Sequence, residues 1–261
     1  MPPLKRLRIQ WGFFGQGARE LQGMIYGEMA NRKIKVVTFD LDDTLWPVGP
    51  VIMRAEQVLR DWMTQHAPEA AGYDRDTLMR VRAEIVAEQP DLTHQISRVR
   101  ELVLGRIIAA SGYHENDAQA IAAKAFEVFL TARHDVDYYE DVQTSLAALA
   151  NRYVLGAVSN GNASVHRLEV GKFFSFAVSA EQVGVSKPDQ RVFDATLAAA
   201  ECAAHEVVHV GDHHEHDIAG AHTAGMHTVW INREGASFPG DYPPSASIAS
   251  LSELVDIIEN L

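Results

Sequence analysis

Three carboxylates fall within four residues at Asp40-Leu41-Asp42-Asp43, directly after the apolar run Val36-Val37-Thr38-Phe39. In an extended segment side chains alternate, so Asp40 and Asp42 point one way and Asp43 the other. Carboxylates held that close need a cation, or one must stay protonated. Taken alone, the stretch also reads as a strand followed by an Asp-rich turn. Three later clusters give it weight: Ser159-Asn160-Gly161, Lys187-Pro188, and Gly211-Asp212-His213-His214-Glu215-His216-Asp217. Carboxylates bind a hard cation such as Mg²⁺ through oxygen. A hydroxyl, a backbone N–H near Gly161 and the Lys187 ammonium suit the charged oxygens of a transferring phosphoryl group. That leaves one carboxylate free to attack and its neighbour to move the proton.

These clusters must be brought together by the elements that carry them. Each follows an apolar stretch of strand length or precedes a helix: the run ending at Phe39, Tyr153 to Val158, a short strand at Phe176 to Ser179, and Val207 to Val210. A further strand is expected at His227 to Ile231, then a Gly/Pro-rich loop to Pro244 and a terminal helix with Leu251, Leu254, Ile257 and Ile258. Strands alternating with helices, among them Val142 to Ala150 and the one holding Val192, Phe193, Thr196 and Leu197, predict an α/β fold. It is a Rossmann-like, doubly wound parallel sheet whose carboxyl ends share one edge, where the clusters can meet. Pro188 suits the first turn of its helix.

Between the first strand and Val142 the periodicity is purely helical. Stripes at Val51-Ala55-Val58-Leu59-Trp62-Met63, at Leu78-Val81-Ile85 (Arg75 to Glu88), at Ile96-Val99-Leu102-Val103-Ile107 (Thr93 to Ala110) and at Ile121-Ala125-Phe126-Phe129 predict four amphipathic helices. Asn116 or Asp117 caps the fourth. We therefore divide the chain into an extension at 1–33, an α/β core at 34–48 and 138–261, and an inserted four-helix unit at 49–137. The extension mixes Lys5, Arg6 and Arg8 with Trp11, Phe13 and Phe14 broken by glycines, so no signal-peptide core forms, and Met24 or Met29 could equally be the start.

The chain has 261 residues, 47% of them hydrophobic, enough to bury a sizeable core. Its 23 Lys+Arg against 35 Asp+Glu give a net charge of −12, which argues against nucleic acid or an acidic membrane as partner. The single cysteine, Cys202, read here as core of an Ala-rich helix, excludes an internal disulfide and fits a reducing cytoplasm. No apolar run approaches the ~18 residues that span a bilayer. The histidines at 209, 213, 214 and 216 lack zinc-site spacing, and Leu45 occupies the sixth position, where a calcium loop needs glycine.

In order, the motifs Asp40-Leu41-Asp42-Asp43-Thr44-Leu45-Trp46, Ser159-Asn160-Gly161, Lys187-Pro188 and Gly211 to Asp217 resemble the four signatures of the haloacid dehalogenase superfamily, over residues 34 to 260. The helical insert resembles its C1-type cap. The resemblance implies Asp40 as a nucleophile forming an aspartyl-phosphate and Asp42 as acid/base. It implies Mg²⁺ held by Asp40, the backbone carbonyl of Asp42 and Asp212, with Asp217 an outer or alternative partner, and phosphate held by Ser159, Asn160, Gly161 and Lys187. Dehalogenases proper lack the second aspartate and work without metal, so the retained Asp42 and acidic fourth motif favour phosphate esters. Phosphonate cleavage would need a cap lysine, and Lys124 reads as a solvated surface residue. The segment Asp40 to Leu59 is also similar to the bacterial branch that dephosphorylates flavin mononucleotide and the phosphorylated ribitylaminouracil intermediate of riboflavin synthesis. On that reading Trp46, Arg98 and Arg133 meet the organic part of a small phosphorylated metabolite, Trp46 by stacking on a flat ring. Trp46 packing the hinge, and the arginines paired at the surface, are the plainer alternatives. Hinges are expected at Trp46 to Pro50 and Val136 to Asp141, in a monomer or homodimer. The rivals are another activity on the same scaffold, namely phosphoglycolate or sugar-phosphate hydrolysis, phosphomutase or 2-haloacid dehalogenase, and a non-catalytic protein that binds metal or a partner.

Overall fold

β-Branched residues at Val36 and Val37 favour a pleated, buried strand, and Val36–Phe39 forms one, β1, at the centre of a six-stranded sheet. The computed structural model describes residues 33–261, so all of the expected extension except Lys33 lies outside the described residues. The other strands are β2 (Val154–Ser159), β3 (Phe176–Ser179), β4 (Val207–Gly211), β5 (His227–Ile231) and β6 (Ala246–Ile248). All pairings are parallel, in the order β3-β2-β1-β4-β5-β6. The chain leaves β1 toward β2 on one side and reaches β4 on the other, so the carboxyl ends of β1 and β4 flank the point where the strand order reverses.

Alternation along β1 explains the layers. Val37 and Phe39 pack with Leu146 and Leu149 of α5 (Val142–Ala150) and Leu254 and Ile258 of α9 (Leu254–Glu259). Val36 faces Phe193 of α7 (Gln190–Ala200) and Ala221 of α8 (Gly220–Thr223). Fully burying each such side chain contributes ~1.5–3 kcal/mol.

The four helices between β1 and α5 are α1 (Val48–His66), α2 (Arg75–Glu88), α3 (Ile96–Ala110) and α4 (Glu115–Arg133). Leu59 and Met63 of α1, Leu104 and Ile108 of α3, and Ala122, Phe126 and Phe129 of α4 share one hydrophobic cluster. Val81 and Ile85 of α2 join Val99, Val103 and Ile107 of α3 in a second. Val51, in the first turn of α1, instead packs into the core around the sheet. The insert is also tied to the core by polar contacts: the Ser97 amide donates to Glu181 (2.6 Å) and the Ser164 amide donates to His134 (2.9 Å).

Several boundaries differ from the sequence expectation. The third helix starts at Ile96 because Thr93 caps the end of a 3₁₀ turn at Pro90–Leu92, its hydroxyl donating to the Pro90 carbonyl at 2.6 Å. The fourth is preceded by His114, with Asn116 and Asp117 inside its first turn, where an acidic residue complements the helix dipole. Pro188 lies ahead of α7, whose N-cap is Asp189, accepting from the Arg191 amide at 3.0 Å. That helix stops at Ala200 with Glu201 at φ 52, so Cys202 sits half-buried just beyond it, its thiol pushed up to about 11 by burial. Strand β6 was not expected. At three residues it is too short to show alternation, and its existence rests on pairing Val229 with Ala246. Leu251, expected in the last helix, lies in a 3₁₀ turn before it.

Candidate active site

Parallel pairing of β1 with β4 places Phe39 opposite Val210, so Asp40 leaves β1 beside Gly211, the last residue of β4. The Asp40 amide donates to the Val210 carbonyl at 2.9 Å, fixing the direction in which its carboxylate departs. Lys187 arrives from the loop before α7, and its ammonium is almost wholly buried. It donates to Asp40 Oδ1 at 2.7 Å, Asp217 Oδ1 at 2.6 Å and the Val158 carbonyl at 2.7 Å. Asp217 lies in a π-helical turn (His214–Ala219) after β4 and packs over Gly211, where any Cβ would fall 2.3 Å from its Cγ. Its second oxygen accepts from the His213 amide at 3.0 Å.

A buried chain extends behind it. Asp217 Oδ1 is 3.3 Å from Nε2 of His209 on β4, and His209 Nδ1 is 2.9 Å from the Thr38 hydroxyl on β1. Burial holds the His209 pKa low. Burial would raise Asp217, but Lys187 and His209 outweigh it and hold the carboxyl far below its ordinary range. Asp40 goes the other way: burial raises it well above the usual carboxylate value, and its share of Lys187 does not compensate. The difference is physical, since Asp217 has His209 and the His213 amide as well and Asp40 does not. Burial would lower Lys187, and the two carboxylates more than reverse this.

Asp212 follows β4. Thr44 donates to its Oδ1 at 3.2 Å, and Trp230 Nε1 donates to its backbone carbonyl at 2.7 Å. Burial first, then the charge of Asp217, pushes its carboxyl up to about 6. One oxygen from each of Asp40, Asp212 and Asp217 lies within 4.8 Å of the other two. Three carboxylates and a single lysine make an all-oxygen set short of positive charge, which a hard divalent cation fits. Both oxygens of Asp217 are already engaged, so Asp40 and Asp212 are the freer donors.

Asp42 is organised separately. Trp46 Nε1 donates to its Oδ1 at 3.0 Å, and Nη2 of Arg133 lies 2.6 Å from each oxygen. Gly161 comes so close that a Cβ there would lie 2.6 Å from Asp42 Oδ2 and 3.3 Å from Ser159 Oγ. The Gly161 amide donates to Ser159 Oγ at 2.9 Å. Asp40, Ser159, Gly161, Lys187, Asp212 and Asp217 thus converge, with Asp42 beside them.

Three sequence expectations change, those for Asn160, Trp46 and Arg98. Asn160 turns its amide away, donating to the Lys187 carbonyl (3.0 Å) and accepting from the Lys187 amide (2.7 Å), so it positions the lysine's loop. Trp46 is fully buried, edge-on to Tyr138 with centroids 6.0 Å apart, so its faces are packed and it cannot stack on a flat ring. Arg98 is not brought to the carboxylates: its side chain is 52% exposed and pairs with Glu101 on its own helix at 3.1 Å. The Asp42 side chain is outside the metal-type cluster, leaving only the carbonyl role implied for it. Lys124 is exposed, as expected. The rings of His213 and His216 stack 3.9 Å apart, and His213 Nδ1 accepts from the Glu215 and His216 amides as a helix cap.

Sequence reasoning missed Thr44, Thr38 and Trp230. Thr44 carried a signal, a hydroxyl two residues past Asp42, whereas Trp230 sits in an apolar strand with nothing local to mark it.

A profile of the haloacid dehalogenase-like hydrolases matches residues 34–225. The chain is 28% identical over 230 residues to the 5-amino-6-(5-phospho-D-ribitylamino)uracil phosphatase YigB of Escherichia coli, covering 87% of this chain and 97% of that protein. It is 32% identical over 247 residues to the glyceraldehyde 3-phosphate phosphatase of Methanopyrus kandleri, covering 87% and 98%. A crystal structure described as a 2-haloacid dehalogenase from Pseudomonas syringae pv. Tomato DC3000 superimposes with a TM-score of 0.85 at 42% identity, covering 87% of this chain and 99% of that one. No described helix is long and apolar enough to cross a membrane. With a six-stranded parallel sheet, the ordered motifs on its carboxyl edge and a profile match over most of the chain, the protein belongs to the haloacid dehalogenase-like hydrolase family.

Proposed function

We propose that the chain is a Mg²⁺-dependent phosphomonoesterase working through an aspartyl-phosphate on Asp40. The observation that carries this is the buried Lys187 joined to Asp40 and Asp217, with a second carboxylate, Asp42, held just outside that trio. In the first step an oxygen of Asp40 bonds to phosphorus while the ester P–O bond breaks, and protonated Asp42 gives its proton to the leaving oxygen. In the second, Asp42 takes a proton from water, whose oxygen bonds to phosphorus as the bond to Asp40 breaks, releasing inorganic phosphate. Lys187 and the Ser159–Gly161 turn hold the phosphoryl oxygens. Asp40, the Asp42 carbonyl and Asp212 would hold Mg²⁺, which supplies the positive charge that three carboxylates and an incoming phosphate require.

Residues 49–137 act on this reading as a cap closing over the core of 34–48 and 138–261, with hinges at 46–50 and 136–141. The name of the Escherichia coli relative supports a phosphorylated ribitylaminouracil as substrate, and the resemblance of the Asp40 to Leu59 segment extends the proposal to flavin mononucleotide, processed in the cytoplasm. The test is release of inorganic phosphate from these esters, glyceraldehyde 3-phosphate and glucose phosphates, with and without EDTA. Activity that survives EDTA refutes the metal requirement. The similarity to a structure described as a dehalogenase supports a second reading. Chloride release from 2-chloropropionate, with no phosphatase activity, would establish it.

A further inference from the structure

His209 is wholly buried in β4, a strand otherwise made of Val207, Val208, Val210 and Gly211. Its register partner on β1 is Thr38, also wholly buried. A polar ring among valines needs a partner for each nitrogen, and here the two partners are Asp217 and Thr38. Charge decides which nitrogen of the neutral ring carries the proton. A bare Nε2 would set its lone pair 3.3 Å from a carboxylate oxygen of Asp217, so Nε2 is the protonated nitrogen and donates. Nδ1 then accepts from the Thr38 hydroxyl at 2.9 Å, the shorter of that hydroxyl's two contacts, the other being the Val208 carbonyl at 3.4 Å. Phe193 stands edge-on to the imidazole, centroids 5.9 Å apart, and fixes the plane of the ring.

The consequence lies at Lys187, whose three protons go to Asp40, Asp217 and the Val158 carbonyl. Among the described residues the Asp40 carboxylate has no donor besides this lysine, whereas Asp217 also takes the His209 ring and the His213 amide. We propose that His209, braced by Thr38, is a positioning residue that pins Asp217 as the lasting anchor of Lys187. The inference rests on the phosphomonoesterase reading. As an oxygen of Asp40 bonds to phosphorus, that carboxylate loses its negative charge, and Lys187 turns the freed donor to a phosphoryl oxygen while Asp217 keeps hold of the ammonium. Without the imidazole, Oδ1 of Asp217 keeps only the lysine, the carboxylate is free to swing about its bond to the His213 amide, and the ammonium loses its fixed direction.

Two substitutions separate positioning from packing. His209→Leu fills the space with apolar atoms and deletes the donor, while His209→Gln returns an N–H toward Asp217 at the cost of a second polar group among valines. With the full chain in Mg²⁺, and with flavin mononucleotide and 4-nitrophenyl phosphate as substrates, kcat of His209→Leu should fall about 10–100-fold, as loss of an outer hydrogen-bond partner does. KM should change little, because the interaction matters only once Asp40 attacks. Both esters should lose by the same factor, since Lys187 meets the phosphoryl group and not the organic part. His209→Gln should recover most of the lost kcat although its urea midpoint lies below that of His209→Leu. A kcat that follows the urea midpoint across the two variants, or a loss carried by KM, would reduce His209 to a core residue and overturn the proposal. The ring itself is read without turnover and without substitution. Long-range ¹H–¹⁵N spectra of the wild-type protein in EDTA should show a proton on Nε2 of His209 and none on Nδ1, and the opposite tautomer would overturn the relay. Thr38→Val should shift the Nδ1 resonance toward that of a free lone pair; an unmoved resonance removes Thr38 from the chain. Absence of phosphate release from both esters by the wild type would overturn the phosphatase reading separately, and the spectra then decide the relay.

Discussion

Lys187→Met keeps most of the side-chain volume and deletes the ammonium that joins Asp40, Asp217 and the Val158 carbonyl. Breaking a buried ionic group from one side costs ~3–5 kcal/mol, because the partners stay buried without compensation. Two carboxylates left facing each other can share a proton, which moderates the loss. We therefore expect ~3–5 kcal/mol, a large part of a typical ~5–15 kcal/mol stability, from a protein that still folds. Urea unfolding in EDTA, followed by tryptophan fluorescence, measures it. The loss should depend on pH. Burial raises Asp40 in the folded state, and the substitution removes the Lys187 charge that opposes this. Groups raised in this way contribute stability that is fully present below the unfolded pKa and lost as pH rises through the folded one. The variant should thus be less destabilised at pH 5 than at pH 8. In kcat/KM we expect a loss of about 10³-fold or more, since a preorganised donor to the phosphoryl oxygens disappears. A variant with the wild-type urea midpoint at pH 8 refutes the buried bridge, and one with normal kcat/KM refutes its chemical role.

Asp40→Asn should lower kcat by about 10⁴-fold or more, as loss of a nucleophile does. Its melting temperature should hold or rise, because a carboxylate that burial disfavours becomes neutral; melting well below wild type would contradict this. Asp212, at about 6 in the fold, contributes stability present below the unfolded value of 3.8 and lost as pH rises through about 6. The metal-free protein should therefore weaken between pH 4 and pH 7, and Asp212→Asn should not. Mg²⁺ at ~100 times its Kd should restore about 2.7 kcal/mol, more at pH 7 than at pH 5, and little in Asp212→Asn; equal thermal shifts in both proteins would exclude Asp212 as a ligand. Gly161→Ala would push a methyl group against Asp42, which Arg133 and Trp46 hold in place, so we expect a 10–100-fold drop in kcat with ~1–3 kcal/mol of strain; unchanged kcat would mean that Asp42 moves freely. Glu181→Gln weakens the bond to the Ser97 amide at the start of α3, and amide exchange in that turn should quicken several-fold for ~0.5–1.5 kcal/mol lost. Unaltered exchange would show that the contact does not hold the helical insert to the core.

Local chemistry decided much in advance. The apolar runs before Asp40 and Asp212 could hardly be anything but buried strands, and a parallel sheet then forces their ends onto one edge. The stripe from Leu78 to Ile85 gave the second helix its full span, because 3.6-residue periodicity and flanking breakers are properties of the segment itself. What the residues do on arrival was not local. Arg98 and Arg133 are equivalent as sequence, two arginines on amphipathic helices, yet one pairs in solvent with Glu101 and the other grips Asp42 across 91 positions. Asn160 likewise took a partner that no spacing announces, the Lys187 backbone, because a rotamer is chosen by whichever buried acceptor lies within reach once the layers have packed. Residue type and order therefore determined which groups reach the sheet edge, while only packing decided which became charged partners there, since burial strengthens a charge interaction that chain separation cannot encode.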